Sequence, residues 1–192
     1  MTQLFTTFDP PLGGPPRLGP TDVSYVVEDT AIGRMLVAVT DRGMLVTCAY
    51  AADDHDEEHW LQRISATVSP RVLRHPGPTD AARRALERYL AGRSRGVDVP
   101  VDLALARPFQ REVLSTLRER VAYGERTTYG ELASASGHPG ASRAVGTALG
   151  RNPLCIVVPC HRVLPASGGL GGYAGGPAAK AHLLALESGG GS

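Results

Sequence analysis

The sequence predicts an α/β first half joined to a mostly α second half. Three observations carry this. Of 192 residues 42% are hydrophobic, enough to build a buried core in one large domain or two small ones packed together. Short β-rich segments gather early in the chain, and from Arg107 onward apolar residues recur at helical spacing between short loops.

The elements follow in order. Residues 1–20 are rich in Pro and Gly without periodicity and read as an irregular N-terminal arm. Val23 to Val27, Met35 to Val39 and Met44 to Ala49 read as strands of a small antiparallel sheet, with Asp41-Arg42-Gly43 as a hairpin turn. Glu57 to Val68, with Trp60, Leu61, Ile64 and Val68 on one face, and Asp80 to Leu90, capped by Thr79, read as helices. An extended Val97 to Leu103 closes a unit spanning 21–106. The acidic run Asp53 to His59 contains two histidines but no third ligand, so it reads as a solvated loop or helix start and no metal is expected.

The second unit spans 107–187. Pro108 opens a helix whose stripe of Phe109, Val113, Leu114, Leu117 and Val121 is core, ending near Gly124. Thr128-x-x-Glu131 has the form of a capping box and starts a short helix, Tyr129 to Ser136. Gly137-His138-Pro139-Gly140 breaks it, and Ala141 to Gly150 resumes with Ala144, Val145, Ala148 and Leu149 on one side and Arg143, Thr147 and Arg151 on the other. Two short helices across a Gly-containing turn fit a helix-turn-helix. They fit an ordinary helical hairpin with solvated arginines equally well. Gly146 and Gly150 favour function, since glycine costs about 1 kcal/mol in a helix interior and is easier to rationalise where something approaches the backbone. Ile156-Val157-Val158 reads as a short buried strand ended by Pro159, which leaves Cys160 at a bend. Pro177 to Glu187 is a last helix, and 188–192 a flexible Gly-Ser tail.

Charge is divided unevenly. Residues 1–106 hold 11 basic and 14 acidic side chains, 11 − 14 = −3, and residues 107–192 hold 9 and 5, 9 − 5 = +4, so the second half is the expected partner of a polyanion. The three cysteines, Cys48, Cys155 and Cys160, form no disulfide framework, and neither a membrane span nor a secretion signal is legible, which points to the cytoplasm. A thiol becomes nucleophilic as thiolate, and His161 and Arg162 beside Cys160 supply a base and a cation. Cys-His alone does not separate a nucleophile from a buried inert thiol; Cys48 and Cys155 read as the inert kind. Glu187 could orient His161 in a Cys-His-Glu relay, or stand as a solvated helix end. The glycine-rich Ser167 to Gly176, with Tyr173, reads as a loop lining a substrate.

These residues closely resemble the methylated-DNA–protein-cysteine methyltransferase family, the O6-alkylguanine-DNA alkyltransferases. The resemblance runs through Pro108-Phe109-Gln110, Tyr123-Gly124-Glu125, Thr128-Tyr129-Gly130, Arg143-Ala144-Val145-Gly146, Asn152-Pro153, Pro159-Cys160-His161-Arg162-Val163, Gly172-Tyr173, Gly175-Gly176, Lys180 and Glu187, over about eighty residues. It is looser in the first half, through Ile32-Gly33, Gly43, Tyr89-Leu90-Ala91-Gly92 and Val101-Asp102-Leu103. It implies a ribonuclease-H-like sheet in that half. It implies a helix-turn-helix docked in the minor groove of alkylated double-stranded DNA through Arg143, Ala144, Gly146, Thr147 and Arg151, with the damaged nucleotide flipped out and Arg143 filling the stack.

Further implications concern the reaction. Cys160 takes the alkyl group from O6-alkylguanine, and from O4-alkylthymine, in one irreversible turnover. His161 acts through a water as base, Glu187 polarises it, and Tyr129 promotes flipping and donates to the guanine ring. Tyr129, Val163, Tyr173 and Ala174 form the substrate pocket, and Asn152 ties the recognition helix to the cysteine loop. No cofactor and no metal are implied, and the protein is expected to act as a monomer, with cooperative assembly on DNA left open. Two departures stand out: Leu114 where the family commonly has Trp, and Gly169 and Gly171 where Lys and Thr are commoner. Two other readings compete, a non-catalytic protein that binds alkylated bases and a Cys-His-Glu hydrolase.

Overall fold

The computed structural model describes residues 22–189; the expected arm over 1–20 and residues 190–192 of the expected tail lie outside them. Strand β1 (Val23–Thr30) pairs antiparallel with β2 (Gly33–Thr40), and β2 pairs antiparallel with β3 (Leu45–Tyr50). The turn between β2 and β3 falls at residues 41–43, where Gly43 takes a φ of 73°, a conformation that suits glycine. A further strand, β4 (Val72–Arg74), lies parallel on the other edge of β1, giving the order β3-β2-β1-β4. The sheet is therefore mixed and not antiparallel throughout. Helix α1 (Asp54–Thr67) carries the chain from β3 across one face to that far edge, and a crossover of this kind returns a strand parallel.

The acidic run is the start of α1. Asp53 caps it by accepting from the Asp56 amide, and the acids of the first turn face the positive end of the helix dipole. Helix α2 (Pro76–Leu90) begins earlier than a Thr79 cap would allow. Proline needs no donor at the first helical position, so Pro76 starts the helix, and the buried Thr79 instead donates its hydroxyl to the Pro76 carbonyl at 2.7 Å. The extended segment after α2 pairs with the sheet through one bridge, Val101 with Leu45. Ile64 of α1 seals one face of the sheet with Val23, Val27, Leu36, Ala38 and Val46. The opposite face, through Val26, Met35, Val37 and Cys48, shares a single core with Tyr89 of α2 and with the second half of the chain.

That second half is built on α3 (Pro108–Arg120), whose Val113, Leu114 and Leu117 are fully inaccessible. Leu114 thus fills its place in the core. The helix stops at Arg120, short of Gly124, because Val121 turns to extended angles while staying buried. Strand β5 (Thr127–Thr128) pairs with β6 (Val163–Leu164) and leads into α4 (Tyr129–Ala135), where the Thr128–Glu131 capping box forms in both directions. Glycines at positive φ, Gly137 and Gly140, turn the chain into α5 (Ser142–Gly150). Ile156-Val157-Val158 is not a strand. It is a tight buried turn in which Ile156 takes a φ of 73° and the Val158 amide donates to the Leu154 carbonyl. Cys160–Arg162 then form one turn of 3₁₀ helix, and α6 (Gly176–Glu187) closes the fold. No helix among the described residues is long and apolar enough to cross a membrane.

Candidate active site

Cys160 is buried, and its Sγ accepts a hydrogen bond from the Asn152 amide nitrogen at 3.2 Å. The same nitrogen donates to the Val158 carbonyl at 3.0 Å while Asn152 Oδ1 accepts from the Leu154 amide, so one side chain pins both ends of the turn before the cysteine. The Cys155 thiol beside Cys160, the Asn152 amide and the positive charge of Lys180 all favour the thiolate; burial opposes it, and the net effect lowers the Cys160 pKa. Cys48 has only burial acting on it and is pushed up to about 12.

His161 is fully buried, with Nε2 2.7 Å from Glu187 Oε1. Burial lowers its pKa, with the positive field of Arg162 and Arg126 adding, against the pull of Glu187. The ring is therefore neutral near pH 7. Because a carboxylate can only accept, Nε2 carries the hydrogen, and Nδ1, which meets no partner among the described residues, keeps its lone pair.

Glu187 is a buried hub. It accepts from the Arg162 guanidinium at 2.9–3.0 Å, from the Tyr89 hydroxyl at 2.5 Å, and from Arg126 and the Gly124 amide at 3.2 Å. Burial alone would raise its pKa, but hydrogen bonds from His161, Arg162 and Tyr89 hold the carboxyl well below the usual carboxylate range. Arg162 serves this hub and the Val121 carbonyl.

Cys160 lines a cavity of about 260 Å³ with Tyr129, Gly146, Leu149, Gly150, Gly172, Tyr173 and Ala174. Burial and the nearby Cys160 raise the Tyr129 pKa, so its hydroxyl keeps its proton. Val163, expected in the substrate pocket, does not line this cavity; it is fully buried, with its carbonyl accepting from Lys180 Nζ at 2.8 Å. Lys180 also reaches the Gly172 carbonyl at 3.4 Å, tying β6 to the loop that walls the cavity. The exposed face of α5 carries Arg143, Ala144 and Thr147, with Arg151 just past its end. A Cβ on Gly146 would meet only the Tyr129 ring, at ordinary contact distance, and one on Gly150 would meet nothing. Internal packing does not demand either glycine.

Residues 108–189 match the family model described as 6-O-methylguanine DNA methyltransferase, DNA binding domain. A methylated-DNA–protein-cysteine methyltransferase of Mycolicibacterium paratuberculosis is 41% identical over 165 residues, 86% of this chain and 92% of the relative. The chain belongs to this family. Another member, from Methanosarcina acetivorans, is 50% identical over 106 residues, 55% of this chain and 67% of its own length. The crystal structure of Mycobacterium tuberculosis OGT in complex with DNA matches with a TM-score of 0.71 at 36% identity, covering 86% of this chain and 93% of that one. The M. tuberculosis O6-methylguanine methyltransferase structure gives 0.72 at 37%, covering 87% and 93%.

As a methylated-DNA–protein-cysteine methyltransferase, the chain acts in repair of alkylated DNA. The fold brings Cys160, His161, Glu187, Asn152, Tyr129, Tyr173 and Ala174 to one place and sets Arg143, Thr147 and Arg151 outside it, on the α5 surface. Four side chains of this centre escaped a role in the sequence reading: Tyr89, Arg126, Lys180 and Cys155. Lys180 carried a signal, as the sole lysine of the chain. Cys155 is indeed buried, but its thiol acts on Cys160.

Proposed function

We propose that this methyltransferase moves the alkyl group of O6-alkylguanine in duplex DNA onto Cys160, once per molecule. The observation that carries the reading is that the Cys160 thiol, with the His161–Glu187 pair next to it, opens into a cavity walled by α5 on one side and the Gly172–Ala174 loop on the other. Helices α4 and α5 act as a helix-turn-helix beside a sheet of ribonuclease-H-like type. The small residues of α5 let it sit in the minor groove, the damaged base rotates into the cavity, and Arg143 fills the stack.

The Cys160 sulfur attacks the alkyl carbon in line; the S–C bond forms as the C–O6 bond breaks and its electron pair leaves on guanine. The thiol proton passes through a water to the His161 Nδ1 lone pair, and the Tyr129 hydroxyl donates to the departing ring. Tyr173, Ala174 and the free lone pair of the Val163 carbonyl contact the base. The thioether product has no hydrolysable acyl bond, so turnover stops at one. O4-alkylthymine presents the same alkyl–oxygen bond and is the second substrate. The protein works in the cytoplasm and binds as a monomer.

Incubation with excess O6-methylguanine duplex followed by peptide mass mapping tests this. The expected product carries one methyl group per molecule, on Cys160. Repeated turnover would favour a hydrolase, and DNA binding with unmodified Cys160 a non-catalytic reader; either result rejects the reading.

A further inference from the structure

Helix α5 is a ridge between two depressions. One is the Cys160 cavity; the other is a groove of about 990 Å³ on its opposite flank, where α5 faces α1, the Ala104–Arg107 segment and the start of α3. The first depression takes in Gly146 and Leu149, the second Ala144, Thr147 and Arg151, and Gly150 borders both. The groove walls carry Arg63, Arg107, Arg151 and His59 and no acidic residue. Among the described residues none of the three arginines forms a salt bridge. Arg63 is fixed in place: its guanidinium stacks 4.6 Å from the centre of the Trp60 ring and donates to the Leu105 carbonyl at 3.0 Å. Burial, together with the fields of Arg151 and Arg107, lowers the Arg63 pKa, as expected of like charges facing one another without a counterion.

We infer that this groove, built jointly by α1 and α5, binds phosphodiesters of the DNA strand opposite the lesion. The argument is geometric and rests on the minor-groove placement of α5 proposed above. A helix lying in a groove of duplex DNA has one backbone on each side. If the damaged strand delivers its base to the Cys160 side of α5, the complementary strand runs along the other flank, where three guanidiniums converge. Arginine presents its donors in a planar fork matched to phosphate oxygens. The first half of the chain, net negative as a whole, thereby contributes Arg63 to DNA binding.

The test uses the full chain as Arg107→Gln and as Arg63→Gln/Arg107→Gln. Binding to a lesion-bearing duplex and to the lesion-bearing single strand is measured across a salt series. For the duplex, the slope of log K against log salt should become shallower by roughly 0.9 for each phosphate that is no longer neutralised. Binding of the single strand should not change. Arg107 is exposed, so its single variant gives a reading free of folding effects, while Arg63 leaves the Trp60 stack. An unaltered duplex slope overturns the inference, and so does an equal weakening on both substrates. A defect confined to multiple loading on long DNA also overturns it, since the groove would then hold a neighbouring copy. The unsubstituted protein runs alongside: if it neither binds duplex nor accepts a methyl group, the parent reading fails. If it does both and the slopes coincide, only this inference fails.

Discussion

Replacing Glu187 by Gln keeps the shape of the hub and removes its charge. The side chain is inaccessible to solvent, and its carboxylate is the sole charged partner of the Arg162 guanidinium among the described residues. Stranding a buried cation costs about 3–5 kcal/mol. For a protein of this size each kcal/mol lowers Tm by roughly 2–4 °C, so a fall of about 6–20 °C is expected in a thermal melt. The chemistry suffers separately. A Gln amide that turns its NH2 toward His161 meets the Nε2 hydrogen, donor against donor; relief requires the other tautomer, which places the hydrogen on Nδ1 and removes the base. General-base assistance of this kind contributes about 10²–10⁴ in rate, and single-turnover transfer from a methylated duplex should slow within that range.

The pH dependence has a fixed sign. Glu187 has a folded pKa below its ordinary value near 4.5, so its stabilisation is complete above that value and fades as pH falls beneath it. Unsubstituted protein and variant should therefore differ most at neutral pH and converge in acid. A variant with unchanged Tm and transfer rate, or a gap that widens in acid, would refute the role assigned to the hub.

Three further outcomes follow from the same geometry. Arg143→Ala should slow repair in duplex DNA far more than reaction with free O6-methylguanine base, because in the proposed function the exposed side chain serves base extrusion and not displacement; single-turnover rates on both substrates check this. Gly146→Ala should raise stability in urea by about 0.5–1 kcal/mol, since the added methyl meets only ordinary contact with Tyr129, while duplex affinity falls in a filter-binding titration. Lys180→Met leaves the Val163 carbonyl without its buried donor, at a cost of about 1–3 kcal/mol, and should slow transfer to duplex and free base alike as the Gly172 wall of the cavity comes untied from β6.

What the sequence disclosed depended on range along the chain. The Thr128–Glu131 box, the stripe on α3 and the Arg143 and Thr147 face of α5 are local patterns and could be read directly, but Ala144, grouped by spacing with Val145, Ala148 and Leu149, is exposed, since it sits at the edge of the apolar stripe. Glu187, 26 positions from His161, could be offered from its residue type as a partner of that ring but equally as a solvated helix end, and family resemblance favoured the first. Tyr89 arrives from another element altogether, 98 positions from Glu187; helical spacing with Ala82, Ala85 and Leu86 marks it as core but says nothing of its partner. Two misreadings have physical causes. Ile156-Val157-Val158 is buried because a tight turn is packed inside the core, and a run of β-branched residues looks the same in such a turn as in an interior strand. Strand β4 is three residues long with Leu73 exposed, too short to alternate visibly, so the parallel edge of the sheet went unseen.

Tyr50, at the end of β3, lies against the active-site loop: its ring fills the space a side chain on Gly175 would occupy, packs edge-on to Tyr173 with centroids 5.6 Å apart, and brings its hydroxyl 3.5 Å from that of Tyr173. With Tyr89 on Glu187, it makes the first half of the chain a component of the candidate site. Chimeras that join the first half of one relative to the second half of another would thus be sensitive to the pairing of position 50 with 175, and of 89 with 187. Exchange at the midpoint would be tolerated where those partners travel together, and descent within the family would transmit the two halves as a matched set.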